Sequence, residues 1–495
     1  MIVTTTLGKA EGVLLPGAFV FRGIPYGEPP IGRLRFKPPL PAAAWEGVRR
    51  CDRFGPIAPQ RHDPQGFMPE LEQSEDCLNL NVWTPGADGP LRPVMVYIHG
   101  GGFTSGKGAE CDGLRYAAED GIVYVSINYR LGALGFLYLG EVLGEGYKTS
   151  GNNGMLDIVE ALRWVQANIV AFGGDPQQVT VVGNSAGAKI TSTLYAMETA
   201  QGLFHRAIAQ SGATQSIRGK ETASVTTSRM LEQLGLSFGE ARQLLELPHG
   251  QLIEAQLAVG PDTARNLHMF GPVADGIIIP LDPLESLALP GKRPPLLIGS
   301  NEDEAASFIY WDPGLQEPQP LTLERLFGQN AGAIWGTYRR YSSDMSEAAA
   351  WCRTLTEHLY TIGAIQLAES LVASGTQVWM YRLKYGGPLG AVHGYEGSLI
   401  HATAESVVTT ASSGSANLAD PYAVREEGYA LARAMRAAWM HFVRHGDPNV
   451  EELPQWPVYG SDAQTMVLEL ACHVQAHLPA PAGIGVSHSV WRTSP

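Results

Sequence analysis

From residue 94 onward, short apolar segments take turns with amphipathic stripes. Residues 94–98, 122–127, 179–183, 206–210, 295–299 and 378–383 are compact apolar runs bounded by turn-forming residues, and they predict strands. Between the second and third runs, apolar residues fall at 155, 158, 159, 162, 165 and 169, the single stripe of an amphipathic helix. Strands separated by helices are the mark of a mainly parallel sheet. Before residue 94 the pattern is alternating and rich in turns, so antiparallel strands are expected at the N-terminal side of a mixed sheet. Two long stretches, about 211–294 and 305–377, have helical periodicity without a strong strand signal. They are expected as insertions above the C-terminal edge of the sheet, roofing a pocket. Residues 409–416, rich in Ser, Ala and Gly, predict a mobile loop.

Length leaves open several domains or one large α/β enzyme, since the chain has 495 residues. With no internal repeat and no low-complexity linker, one domain is the economical reading. A hydrophobic fraction of 44% beside 17% charged residues is globular composition and excludes disorder. The net charge of −14 argues against binding nucleic acid through its phosphates. Arg33, Arg35, Lys37, Arg49, Arg50 and Arg53 read as a solvated, loop-rich surface. The opening Met1-Ile2-Val3-Thr4-Thr5-Thr6 is strand-like, with neither the basic nor the apolar region of a signal peptide. No apolar run reaches the length of a membrane span. The five cysteines, Cys51, Cys77, Cys111, Cys352 and Cys472, are scattered without metal-ligand spacing. They suggest reduced thiols in a cytoplasmic protein.

Candidate chemistry concentrates at Gly183-Asn184-Ser185-Ala186-Gly187. Alone, G-x-S-x-G is a weak pattern, but here a β-branched run precedes it and a helix-forming stretch follows at once. That context makes Ser185 a strand-to-helix corner of the kind that exposes a nucleophile. A serine hydroxyl needs a base, a group to orient that base, and donors for an oxyanion. His99-Gly100-Gly101-Gly102-Phe103 follows the strand at 94–98, where three glycines let backbone N–H groups converge on one point; Ala186 would add another. Among thirteen histidines, His393 follows the strand at 378–383 on a glycine-rich loop and fits the base. His401, His441 and His445 fall in or beside expected helices, and His99 reads as an anchor for its loop. The orienting acid is expected after the strand at 295–299, where Glu302, Asp303 and Glu304 stand together; local chemistry does not choose among them.

Several motifs resemble the type B carboxylesterase and cholinesterase family. They are Phe21-Arg22-Gly23-Ile24-Pro25-Tyr26-Gly27, Ser74-Glu75-Asp76-Cys77-Leu78-Asn79, the His99 loop, Ser126-Ile127-Asn128-Tyr129-Arg130-Leu131-Gly132 and Phe172-Gly173-Gly174-Asp175-Pro176. The likeness continues through Ala209-Gln210-Ser211-Gly212, Ala391-Val392-His393-Gly394-Tyr395-Glu396 and Phe442-Val443-Arg444-His445-Gly446-Asp447-Pro448-Asn449, spanning nearly the whole chain. Bacterial carboxylesterases active on p-nitrobenzyl-type esters look most similar. The resemblance implies one α/β hydrolase domain over 1–495, with a mixed, mostly parallel sheet. It implies Ser185 as nucleophile, His393 as base and Glu304 as acid, with oxyanion donors at Gly101, Gly102 and Ala186. Asn184, Ser211 and Glu396 match positions beside the family's active site.

Two departures stand out. Asn184 occupies a position where the family usually has glutamate, so nothing about cationic substrates carries over. In Gly55-Pro56-Ile57-Ala58-Pro59-Gln60 an alanine replaces the family's cysteine partner for Cys77, which leaves a Cys51–Cys77 bridge open. The resulting expectation is a serine carboxylesterase for short to medium acyl esters, with no metal or organic cofactor and no nucleic-acid or membrane partner. A lipase, a carbamate or amide hydrolase, and a non-catalytic binding protein on the same scaffold are the alternatives. Phe270, Phe308, Tyr310 and Trp311 are candidate pocket walls or, equally, core or surface aromatics.

Overall fold

The computed structural model describes residues 1–61, 71–260, 269–404, 406 and 420–476; the 409–416 segment lies outside these. Its centre is an eleven-stranded mixed sheet. The strands are β1 (Val13–Leu15), β2 (Ala18–Pro25), β3 (Asn79–Thr84), β4 (Arg92–Ile98), β5 (Val123–Ile127), β6 (Gly174–Asn184), β7 (Arg206–Gln210), β8 (Leu296–Asn301), β9 (Val378–Leu383), β10 (Thr465–Leu468) and β11 (His473–Gln475). They lie in the order β11-β10-β9-β8-β7-β6-β4-β5-β3-β2-β1. Strands β5, β4 and β6 to β10 run parallel, while β1, β2, β3 and β11 pair antiparallel at the two margins. The six apolar runs are all strands of this sheet. Those at its middle are buried along their whole length, as strands covered by helices on both faces must be.

Chain order sets the position of the site. After β4 the chain places β5 on one side, then crosses to place β6 on the other, so the crossovers diverge at β4 and leave a crevice at the strands' C-terminal ends. The register aligns those ends: Ile98 pairs with Gly183, Asn184 with Gln210, Gln210 with Gly299, and Asn301 with Leu383. Five adjacent strands therefore deliver their next residues to one edge.

The expected amphipathic helix is α1 (Asn153–Asn168), and α2 (Ala186–Leu194) follows β6 without a loop. The 211–294 stretch contains α3 (Lys220–Gln233) and α4 (His249–Val259), but also a small parallel pairing of Arg218–Gly219 with Val273–Ala274 that periodicity missed, because two-residue strands carry no alternation to detect. The 305–377 stretch contains α5 (Glu304–Trp311), α6 (Pro320–Phe327), α7 (Ala331–Tyr341), α8 (Glu347–Thr356) and α9 (Ile362–Ala373). Helices α6 to α8 share a hydrophobic cluster of their own around Trp351, Leu326 and Ile334. Helix α9 packs instead on β8 and β9 through the main core, so the last part of this stretch flanks the sheet and does not roof it. Later come α10 (Tyr395–His401) and α11 (Tyr429–His445). The strand at 378–383 is not the last, because β10 and β11 extend the sheet beyond it; both are short, which weakened their signal.

One further expectation changes, and the open question of a Cys51–Cys77 bridge is answered in favour of reduced thiols. Arg35 is buried, ion-paired with Glu75 and donating to the carbonyls of Leu244 at 3.0 Å and Leu247 at 2.6 Å, so it is a cross-tie between segments and no solvated charge. Cys51 and Cys77 are both buried free thiols, and burial pushes Cys51 up to about 11.

Arg130, just past β5, is tied to Asp157 of α1. Its Nη2 lies 2.6 Å from Oδ1 and its Nε 2.8 Å from Oδ2; its own backbone N–H also donates to Oδ2 at 3.1 Å. Both side chains are almost fully buried, with exposures of 3% and 0%. Asp157→Asn leaves the guanidinium without its counter-charge and should destabilise the protein by about 3–5 kcal/mol in urea unfolding.

Candidate active site

Ser185 joins β6 to α2 with φ +58° and ψ −123°, a conformation that costs an L residue energy and occurs where surroundings enforce it. Its N–H donates to Gln210 O at 2.9 Å, and its carbonyl accepts from Lys189 N at 3.0 Å. The flanking glycines are required by contact. A methyl group on Gly187 would lie 2.0 Å from Ile98 O, and one on Gly183 would lie 2.2 Å from the Gly187 carbonyl carbon. Helix α2 thus starts pressed against β4 and β6, and only glycine fits between.

The loop after β9 brings His393 over this corner. Its Nε2 lies 2.7 Å from Ser185 Oγ, and its Nδ1 lies 2.6 Å from Glu304 Oε2. Glu304 is fully buried, and its other oxygen accepts from Asn301 N at 2.8 Å. The three neighbouring carboxylates have different partners. Glu302 pairs with Arg382 at 2.7 Å, and Asp303 accepts from Ala391 N at 3.0 Å. Neither is simply solvated; Asp303 braces the backbone two residues before His393. The first turn of α5 points Glu304 inward because residues 302 and 303 are already held by β9 and the 391 loop.

Behind Glu304 lies a second buried carboxyl. Glu396 accepts from Asn301 Nδ2 at 2.7 Å, from Tyr381 Oη at 3.2 Å and from Ser211 Oγ. Asn301 Nδ2 also donates to Val392 O at 2.7 Å, so one residue, through its backbone N–H and its side chain, connects both acids to the histidine loop. Burial, and then the nearby charge of Glu304, push Glu396 up to about 7. Ser211 occupies the end of β7 with φ +56°, a second strained corner beside the first.

The glycine loop follows β4. Gly101 and Gly102 take φ +101° and +61°, and Gly101 O accepts from Thr104 N at 3.1 Å and Ser105 N at 3.0 Å. His99 stacks on Tyr129 at 4.4 Å, with its Nδ1 2.9 Å from Gly100 O. Burial lowers His99 to about 4 and keeps it neutral, in keeping with an anchor. Gln60 clamps the far end, exchanging hydrogen bonds with Gly106 at 2.9 and 3.0 Å. Ala186 opens α2, where the first N–H groups have no carbonyl within the helix to meet.

Gly100, Gly101, Gly102, Ser185, His393 and Asn184 line one cavity of about 900 Å³. Of the four candidate wall aromatics only Phe308 lines it, 5.2 Å from the His393 ring. Phe270 is buried in the core, while Tyr310 and Trp311 are 53% and 68% exposed. Asn301, Lys189 and Tyr360 went unselected in the sequence. Asn301 is a polar residue ending a buried strand, a signal that could have been weighed. Tyr360 lies 4.7 Å from the His393 ring and comes from a π-turn, Glu357–Thr361, for which no sequence pattern prepared. His401, His441 and His445 lie on α10 and α11 and do not line this cavity; His401 meets Tyr116, and His441 meets Asp447 and the His445 ring.

A mostly parallel sheet with a strained serine between strand and helix, and a histidine and acid on later loops, defines the α/β hydrolase fold. A carboxylesterase of Geobacillus stearothermophilus superposes with a TM-score of 0.82 at 35% identity, covering 99% of this chain and 100% of that one. Residues 1–481 match the carboxylesterase family. The para-nitrobenzyl esterase of Bacillus subtilis is 34% identical over 94% of each chain, and the phenmedipham hydrolase of Pseudarthrobacter oxydans 33% identical over 98% of each. The chain belongs to the carboxylesterase family and is a carboxylic ester hydrolase. No helix among the described residues is long and apolar enough to cross a membrane.

Glu396 has a consequence for stability. Its folded pKa, about 7, stands above the ordinary value of 4.5, so its contribution is complete below 4.5 and is lost as pH rises through 7. Glutamine removes that dependence. The unfolding free energy of the wild type minus that of Glu396→Gln should decline between these pH values, read by urea titrations at several pH values.

Proposed function

We propose that Ser185, His393 and Glu304 form a catalytic triad and that the backbone N–H groups of Gly101, Gly102 and Ala186 form its oxyanion hole. The observation that carries this reading is the pair of short contacts made by one imidazole, 2.7 Å to Ser185 Oγ and 2.6 Å to Glu304 Oε2. In the acylation step Ser185 Oγ attacks the ester carbonyl carbon as its proton passes to His393 Nε2. The carbonyl oxygen takes the negative charge and is held by the three N–H groups. Collapse of this intermediate breaks the bond to the alcohol, which leaves with the proton returned by His393. Water, deprotonated by the same nitrogen, then attacks the acyl carbon; the bond to Ser185 Oγ breaks, His393 returns the proton to that oxygen, and the acid is released. Glu304 fixes the ring through Nδ1 and stabilises the imidazolium. Asn184, Ser211 and Glu396 act indirectly: Ser211 and Glu396 support Asn301 and the histidine loop, and Asn184 lines the cavity beside Gly394.

The substrates are small-molecule esters with short to medium acyl groups, a size suited to a cavity of about 900 Å³. The reading is of a cytoplasmic enzyme, supported by five free cysteines, and it calls for no metal or organic cofactor. It describes one domain over 1–495.

Ser185→Ala should lower kcat on p-nitrophenyl butyrate by about 10⁵-fold or more while the circular dichroism spectrum stays unchanged. Hydrolysis persisting in the purified variant would end the proposal.

Glu304→Gln should cost about 10³-fold or more in kcat, because the orienting charge is lost. Glu302→Gln and Asp303→Asn, whose partners are Arg382 and Ala391, should cost far less. A greater loss at Asp303 in steady-state assays would move the acid by one residue.

A further inference from the structure

Lys189 lies on the first turn of α2, four residues after Ser185, about 6 Å along the helix axis. It is a wall residue of the cavity that contains Ser185 and His393, yet only 8% of it is exposed. Among the described residues, no hydrogen bond and no ion pair reaches its Nζ. Its one close partner is the Tyr360 ring, 5.5 Å from the amine to the centroid. Glu304 is near enough to favour the charged form, but its oxygens are committed to His393 and to the Asn301 N–H. Among the described residues, the other charged side chains on the cavity wall are Arg61 and Glu110, and residue 184 contributes a neutral amide.

An ammonium held this way costs stability. Leaving a buried charge without a hydrogen-bonded partner is among the expensive arrangements in a protein interior, and an apolar side chain of similar volume would avoid it. A cation–π contact offsets only part of the cost. Burial lowers the amine to about 8, so most of the population is still protonated at neutral pH. The cavity therefore holds a partly dehydrated cation one helical turn from the nucleophile, with donor capacity that none of the described residues uses.

We propose that Lys189 recognises a second, ionised acid group on the ester, making half-esters of dicarboxylic acids and comparable anionic esters preferred substrates of this site. The inference rests on the function proposed above, and it assigns Lys189 to substrate selection, with no part in proton transfer. A carboxylate entering the cavity would give the amine a charge-assisted hydrogen bond in a partly dehydrated setting, where such bonds are strong.

The test compares matched ester pairs. On the acyl side these are mono-4-nitrophenyl glutarate and its neutral isostere 4-nitrophenyl 5-oxohexanoate; on the alcohol side, 3-carboxyphenyl butyrate and 3-acetylphenyl butyrate. The ratio of kcat/KM, anionic over neutral, is measured for wild type, Lys189→Met and Lys189→Arg, with active enzyme counted by sulfonyl fluoride titration. Comparing ratios between proteins cancels the intrinsic reactivity of each ester. In at least one pair the ratio should fall about tenfold in Lys189→Met and recover in Lys189→Arg, as expected for one recognised polar group. A change below about threefold in both pairs overturns the proposal. Should Lys189→Met not fold, Lys189→Gln carries the same comparison. Wild-type hydrolysis of the neutral esters, abolished by Ser185→Ala in parallel, keeps the underlying mechanism separate: intact hydrolysis with unchanged ratios counts against Lys189 alone.

Discussion

Everything at this site depends on one close backbone approach, the start of α2 against the ends of β4 and β6. Ile98 O and the main chain of Gly187 are so near that a single Cβ cannot fit between them. That proximity forces the chain to turn within one residue, and Ser185 takes the positive φ the turn demands. Strain of this kind costs about 1–3 kcal/mol. It is offset locally by the hydrogen bonds from Ser185 N to Gln210 and from Lys189 N to Ser185, and by the parallel register that fixes β6 between β4 and β7.

Around that corner the protein concentrates charge in a poorly hydrated space. Glu304 and Glu396 are both fully buried, and they share Asn301, whose backbone N–H serves one and whose side chain serves the other. Burial, and then the nearby charge of Glu304, displace Glu396 upward from the ordinary carboxylate range. Phe308 and Tyr360 pack at tilted angles beside the His393 ring, at 5.2 and 4.7 Å, while its two nitrogens meet Ser185 and Glu304. Excluding water there strengthens each remaining electrostatic contact, which is why positions of a few tenths of an ångström matter more here than on the surface.

The limits of the sequence are visible in particular residues. The run at 179–183 and the helix-forming residues after it made the Ser185 corner legible, because β-branched alternation and small flanking residues are local properties. The loop at 99–103 was legible for the same reason. Glu302, Asp303 and Glu304 were not distinguishable, since what separates them is where Arg382, Ala391 and His393 arrive from distant parts of the chain. The basic segment at 33–53 looked uniformly solvated, yet Arg35 turned inward to Glu75 and to carbonyls at 244 and 247, partners no local window contains. Strands β10 and β11 were too short to announce themselves, and α9 looked like the helices before it while packing against a different layer.

By itself, then, the order of apolar runs and stripes determined a mainly parallel sheet, and the motifs at 99–103, 183–187 and 391–394 determined which loops meet at its edge. Motif likeness narrowed the acid to Glu304 before any contact was known. Only the tertiary structure decided the rest: the separate partners of the three carboxylates, the link from Ser211 through Glu396 and Asn301 to the histidine loop, the π-turn that brings Tyr360 to His393, and the unpaired amine of Lys189 in the cavity. The reason is physical. Periodicity and turn chemistry act over a few residues and leave their mark in the sequence, whereas burial, charge pairing and desolvation depend on segments tens to hundreds of residues apart, and exist only once the sheet has brought them together.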